Sequence, residues 1–162
     1  MNIITKIKNS VQASTGESFY YGATQEINRV LDGAALPCSV MYLLQQGQIT
    51  DENGFIHERL TAVVFFINKT QFDPDSIDNE DIIDTEKKKA FGWVSRLRLN
   101  DNLKLISVNS SERVYDEFDS IVTGYAVNVT IEEVSGIGLC NAPDPATSSE
   151  YEEGDEDDTT IE

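Results

Sequence analysis

The sequence predicts an α+β domain: a mixed, mainly antiparallel sheet of about four strands, helices packed on one face, and a disordered acidic C-terminal tail. Three observations carry that prediction. Asn53-Gly54, a dipeptide that tolerates positive φ at both positions, separates apolar-rich runs at 38–49 and 55–70 and so marks a hairpin. From Ile121 to Ile131 bulky residues alternate with small or polar ones, the period of a half-buried strand. Elsewhere apolar residues recur at intervals of three and four, the period of helices with one buried face. Residues 1–140 are therefore expected to form a single domain and 141–162 a flexible acidic tail.

Taken in order, Ile3, Ile4, Ile7 and Val11 predict an amphipathic helix over 2–13. The stretch "STGESFYYG" (14–22) reads as a loop. Thr24 suits the N-cap of a short second helix in which Ile27, Val30 and Leu31 share a face; Gly33 ends it and Pro37 blocks its continuation. The strand at 38–49 is apolar enough in its first half to be covered on both faces. Its hairpin partner is polar first and apolar second, the reversed order that antiparallel pairing needs, so the outer end near 45–58 is expected to project beyond the core. A helix over about 79–97 aligns Ile83, Ala90, Val94 and Leu97, with Trp93 beside them. Its acids come early (Glu80, Asp81, Asp84, Glu86) and its bases late (Lys87, Lys88, Lys89, Arg96, Arg98), the order the helix dipole favours. Strands at 103–115 and from Ile121 complete the sheet. The odd positions Ile121 to Ile131 face the helices, while Gly124 and Ala126 keep the opposite face thin enough for a neighbour to approach.

Composition narrows the functions open to the chain. Twelve bases against 29 acids give a net charge of −17, and the segment Asp144–Glu162 holds nine of the acids and no base. A surface of that sign repels phosphate, which argues against tight binding of DNA or anionic membranes. No apolar run approaches the roughly 18 residues that a membrane-spanning helix needs. The opening "MNIITKIKNSV" lacks the continuous apolar core of a secretory signal, so the acceptor tripeptides at Asn68, Asn109 and Asn128 are not expected to carry glycans. Cys38 and Cys140 are too few for a disulfide framework and neither lies in a Cys-X-X-Cys pattern. A reduced, intracellular chain at the time of folding is expected, with a bridge between the two left open.

Few residues of the chain point to chemistry. His57, the single histidine, sits beside Glu58 just after the turn and reads as a solvated hairpin residue. The segment from Asp73 begins like a calcium loop, with carboxylates at its first and third positions. Ile77 then occupies the fifth, Asp78 stands where glycine is needed, and Asp84 stands where glutamate would close the loop. A solvated turn with acids at a helix start accounts for the segment; a weak cation site on Asp73, Asp75 and Asp78 is the alternative. Nothing sets Asp116, Glu117 or Asp119 apart from the many other carboxylates. Gly136-Ile137-Gly138 precedes no helix and is no nucleotide loop. No catalytic residue, cofactor or metal ligand is expected.

The phrases "FYYG…QEINRVLDGAALPCSVMYLL", "RLTAVVFFINKTQFD" and "FDSIVTGYAVNVTIEE…GLC", in that order over about residues 15–140, resemble small virion proteins of tailed bacteriophages. The resemblance is to the tail-terminator or tail-completion kind, and to neck and ring proteins of crAss-like phages. It implies a non-catalytic structural protein, synthesised in the host cytoplasm and built into the virion neck or tail. Copies of such a protein close into a ring, six- or twelve-fold, between portal and tail or at the end of the tail tube. The implied partners are the chain itself and portal, adaptor or tail-tube proteins, with genome DNA passing the lumen without specific binding and no membrane involved. The acidic tail departs from the family's pattern.

A ring is built from heterologous contacts, each subunit offering two different surfaces, and a projecting hairpin with an open sheet edge supplies one of them. Candidate interface residues are Tyr20, Tyr21, Phe72, Tyr115 and Phe118, aromatic anchors in loops or at strand ends, with Gln46, Gln48, Phe55 and His57 on the hairpin. Ordinary half-burial is the competing account of each. Two rival functions are an assembly chaperone whose acidic tail occupies a basic partner, and a small metal-dependent hydrolase using Asp73, Asp75 or the Asp116–Asp119 group.

Overall fold

Asn2 starts the first helix by accepting the Thr5 N–H on its side-chain oxygen at 2.9 Å. Gly16 ends it in the left-handed region at φ 73°, its N–H returning to the Gln12 carbonyl at 2.8 Å. The computed structural model describes residues 2–52, 55–70, 77–100, 102–115, 118, 121–133 and 137–138. In chain order the elements are α1 (Ile3–Thr15), β1 (Ser18–Tyr21), α2 (Thr24–Leu31), β2 (Cys38–Glu52), β3 (Phe55–Lys69), α3 (Ile77–Leu97), β4 (Leu103–Tyr115), β5 (Val122–Glu133) and β6 (Ile137–Gly138). The α+β class and the mainly antiparallel sheet are as the sequence predicts.

The strands run in the order β1-β2-β3-β5-β4, and β6 pairs with β3 beyond the end of β5. Among the described residues there are six strands, where the sequence predicts about four. The two extra ones are short: β1 lies inside the stretch read as a loop and pairs in parallel with Cys38–Met41, and β6 contributes two residues opposite Phe55 and Ile56. Neither is long enough to display a period. The second helix also begins differently, with Ala23 rather than Thr24 at the N-cap position and the Ala23 N–H donating to Glu26 Oε2 at 3.1 Å.

Two apolar layers cover the sheet. On the first face, Ile3, Ile7 and Val11 of α1 and Ile83, Ala90, Trp93, Val94 and Leu97 of α3 pack on the even positions of β3 and the odd positions of β5. Trp93 lies fully buried 5.9 Å from the Phe66 ring, its indole N–H donating to Ser10 Oγ. On the second face, Ile27 and Leu31 of α2 pack on Cys38, Val40, Val63, Phe65 and Ile67. The expectation of helices on one face alone is thus corrected. From Ala62 to Ile67 every residue of β3 is apolar and buried, so both faces need a cover.

The odd positions of β5 from Tyr125 to Ile131 join the first core as expected, while Ile121 lies outside the strand and is exposed. On its other face Val122 and Ala126 are buried in the second core, so this face is dry near α2 and polar only toward Asn128 and Thr130. Gly124 does admit a close neighbour, but the neighbour is the adjacent strand. A Cβ there would be driven onto the Phe66 carbonyl and would stand 2.9 Å from Ile67 Cα. The hairpin projects as expected: β5 stops pairing with β3 at Arg59–Glu132, whereas β2 and β3 stay paired to Glu52–Phe55. Gly124→Ala is expected to lower stability by about 1–3 kcal/mol through overpacking, read as an earlier urea midpoint with an unchanged slope.

Candidate functional site

The sheet ends in two unlike edges. β4 pairs only with β5, so its outer edge is open among the described residues over its full length. At the opposite side β1 covers only the first four residues of β2, and from Tyr42 outward β2 has no outer partner among the described residues. Apolar side chains mark both: Ile106 and Val108 on β4, and Leu44 (53 % exposed) and Ile49 (78 %) on β2. A recess of about 490 Å³ opens where β1 turns away from β2, lined by Tyr21, Gly22, Thr24, Glu26, Tyr42 and Leu44 among others.

The residues proposed from sequence divide accordingly. Tyr21 is half exposed beside this recess, and Gln48 is exposed on the projecting hairpin. Tyr115 is half exposed at the end of β4, its hydroxyl donating to Glu80 Oε1 at 2.9 Å while Arg113 binds the same carboxylate. Tyr20 is half-buried against the second core. Phe118 is a correction: it is buried, its ring 5.1 Å from Phe65 in an edge-on contact, and anchors no external surface. His57 is partly buried rather than freely solvated, with Nδ1 2.9 Å from the Glu133 carbonyl oxygen. Gln46 and Phe55 lie in β2 and β3 with side chains outside the described residues, and Phe72 lies outside them altogether. Sequence reading missed Leu44, Ile49, Ile106 and Val108, because the register shifts in β2 and β4 that fix their orientation leave no local pattern.

The hairpin half of the second face is held by polar pairs. Arg59 donates through Nε and Nη2 to Glu132 Oε2 at 3.0 and 2.6 Å, and Lys104 stands 3.7 Å from Glu132 Oε1. The Thr61 and Thr130 hydroxyls meet at 3.1 Å, and Asn109 donates to Asn128 Oδ1. Burial works to raise the Glu132 pKa, but the hydrogen bonds and charge of Arg59, aided by Lys104 and His57, outweigh it and hold this carboxyl below the usual glutamate range. A carboxylate so engaged is a structural cross-link rather than a general acid.

A second charged cluster lies beneath α3. Lys89 donates to Glu86 Oε1 at 2.8 Å and to Glu17 Oε1 at 2.5 Å. The other oxygens of both carboxylates, and Ser39 Oγ, are buried without a hydrogen-bond partner among the described residues. Burial pushes the Glu86 pKa up, with Glu17 adding to it and Lys89 opposing. The same environment, through burial first and then the charges of Glu17 and Glu86, pushes the Cys38 thiol up to about 12, which leaves it inert. A raised buried carboxyl is a feature that catalysis uses, but Glu86 has no exposed surface on which to meet a substrate. Among the described residues no three His, Cys, Asp or Glu side chains converge as a metal requires, and no helix is long and apolar enough to cross a membrane. The acids weighed for a cation or a hydrolase, Asp73, Asp75, Asp116, Glu117 and Asp119, lie outside the described residues, as does the Asp78 side chain.

Two pH effects follow, of opposite sign. The lowered Glu132 pKa means the unfolded chain binds this proton more tightly, so its contribution is present above about pH 4.5 and is lost as pH falls below that value. Glu132→Gln should therefore flatten the acid side of the stability curve measured by urea unfolding between pH 3 and 6. Glu86 has the raised pKa, so its carboxyl costs stability as pH rises above 4.5 and leans on Lys89 when ionised. Lys89→Met is expected to cost about 3 kcal/mol at pH 7, because the buried Glu86 and the partly buried Glu17 carboxylates lose their cation, and clearly less at pH 4.

No protein-family model matches this chain, and no curated protein matches it either.

Proposed function

We propose that this chain is a non-catalytic structural protein of a tailed-bacteriophage virion, of the tail-terminator or tail-completion kind, whose copies close into a ring in the neck or at the end of the tail. The observation that carries the proposal is the pair of unlike open edges, β4 on one side and the outer part of β2 on the other. Two different edges let copies join head to tail, β4 of one beside the outer part of β2 of the next, and the chain of copies ends when rotation closes it. Strand addition supplies main-chain hydrogen bonds, and exposed Ile106, Val108, Leu44 and Ile49 add apolar contact beside them. The phage setting is supported by the resemblance over residues 15–140. Portal, adaptor or tail-tube proteins are the neighbours this assignment supplies. A net charge of −17 favours a lumen along which DNA slides without sticking.

Native mass spectrometry of the full chain tests the proposal, together with peptide mass spectrometry of purified virions. The expected result is a closed species of six or twelve copies, and the chain among the particle's components. Ile106→Lys on β4 and Leu44→Lys on β2 should each halt assembly at the monomer. An equal mixture of the two variants retains one intact pair of edges per contact and should stop at dimers. A wild-type chain that stays monomeric at high concentration and is missing from the particles would remove the proposal.

A further inference from the structure

Beside the open edge of β4, the first face carries a groove of about 390 Å³ between α3 and the sheet, lined by Phe91, Val94, Ser95, Arg98, Val108 and Val127 among others. Phe91 is 47 % exposed although its ring meets Tyr125 edge-on at 5.8 Å, and Val108 across the groove is 43 % exposed. The groove therefore presents apolar surface on both walls. Its rim is cationic. Lys87, Phe91, Ser95 and Arg98 fall on one stripe of α3, with Lys87 Nζ 5.7 Å from the centre of the Phe91 ring and Arg98 exposed one helical turn past Ser95. From Lys87 to Arg98 the helix carries five bases and no acid, the one such concentration in a chain of net charge −17.

The complementary chemistry is present in the same chain. Residues 144–162 hold nine acids and no base, and place Tyr151 and Ile161 among them as apolar anchors. Chain geometry allows the two to meet. Gly138 pairs with Phe55 and Val127 pairs with Val64, so the groove lies about 30 Å along β3 from the start of the tail. The 24 residues that follow Gly138 extend to about 80 Å. Tethering at that length supplies an effective concentration in the millimolar range, which modest charge and apolar contacts suffice to exploit.

We propose that the acidic C-terminal segment of this chain docks in the groove between α3 and β4 of its own domain, its carboxylates on Lys87 and Arg98 and an apolar anchor on Phe91 and Val108. In that position it covers the flank of the β4 edge and neutralises the basic stripe of α3. The contact does not rest on the phage assignment, and it uses Val108, which the proposed ring contact also uses.

Zero-length carbodiimide cross-linking of the full chain tests it, using an equal mixture of unlabelled and nitrogen-15-labelled protein read by peptide mass spectrometry. Lys87 or Lys88 should be joined to carboxylates of residues 150–158, and both halves of each cross-linked pair should carry the same isotope. Phe91→Ser combined with Arg98→Glu changes only exposed side chains, and should cut the yield at least tenfold while leaving the urea midpoint near that of wild type. Equal tail cross-linking at Lys8 and Lys69 would mark an undirected polyanion and overturn the proposal. Isotope-mixed pairs would assign the groove to a second copy and overturn it too, as would undiminished yield in the double variant.

Discussion

From Ala62 to Ile67 the strand β3 is hydrogen-bonded along both edges and buried on both faces, and it forms the centre on which both apolar layers pack. Eleven consecutive residues, Arg59 to Lys69, pair with β5 without a break, while β2 pairs along the other side. Its two faces are both apolar: Val64 and Phe66 lie under the α1–α3 layer, and Val63, Phe65 and Ile67 lie toward α2. A slip by one residue would exchange these two sets, and hydrophobicity alone would object little. The register must be held by features that do not survive exchange. Gly124 is one, since only its lack of a Cβ lets β5 lie against Phe66 and Ile67. The cross-strand pairs Arg59–Glu132, Thr61–Thr130 and Thr70–Thr123 are the others, because a slip would leave buried Glu132 without its cation.

Legibility in the sequence followed the length of each element and the locality of its contacts. α1, α3 and β5 each repeat a period several times, and Asn53-Gly54 between apolar runs marks the long hairpin; these elements and β4 were readable within a few residues. β1 was not, because Ser18–Tyr21 owes its conformation to β2, about twenty residues away, and four residues cannot show a period. The second apolar layer had a visible trace, the unbroken run Ala62–Ile67, which a sheet with one wet face cannot contain. Of the candidate interface residues, Phe118 was misplaced because an aromatic residue near a strand end reads the same whether it turns inward or outward. The Glu17–Lys89–Glu86 cluster was invisible: Lys89 follows Glu86 at ordinary helical spacing, and only the fold brings Glu17 to the same nitrogen.

The scarcity of bases gives each one weight. Lys6, Arg59, Lys89 and Lys104, four of the twelve bases, bind carboxylates that are buried or partly buried, and the 29 acids leave the exterior acidic. Like-charged copies repel at low ionic strength, and the Debye length shortens to about 8 Å at physiological salt. The proposed association between copies would therefore rest on short-range contacts, main-chain hydrogen bonds and apolar side chains, which screening does not weaken. Such contacts are available at the sheet edges, where Leu44, Ile49, Ile106 and Val108 are exposed.

Open edges carry the hazard of pairing with any extended chain, and this sheet limits that hazard through irregularity. The central strands β3 and β5 pair without a register shift, whereas the strands that flank them contain two each: β2 between Leu43 and Gln45 and between Gln45 and Gln48, β4 between Leu105 and Ser107 and between Val108 and Ser110. Each shift breaks the even spacing of outward-pointing amides and carbonyls that an incoming strand would need. What remains regular is short: Ser110–Tyr115 on β4 and Gln48–Glu52 on β2. A partner must match one of these segments in length as well as the side chains flanking it. An edge broken in this way is selective by geometry, because it accepts far fewer extended chains than an evenly spaced edge would.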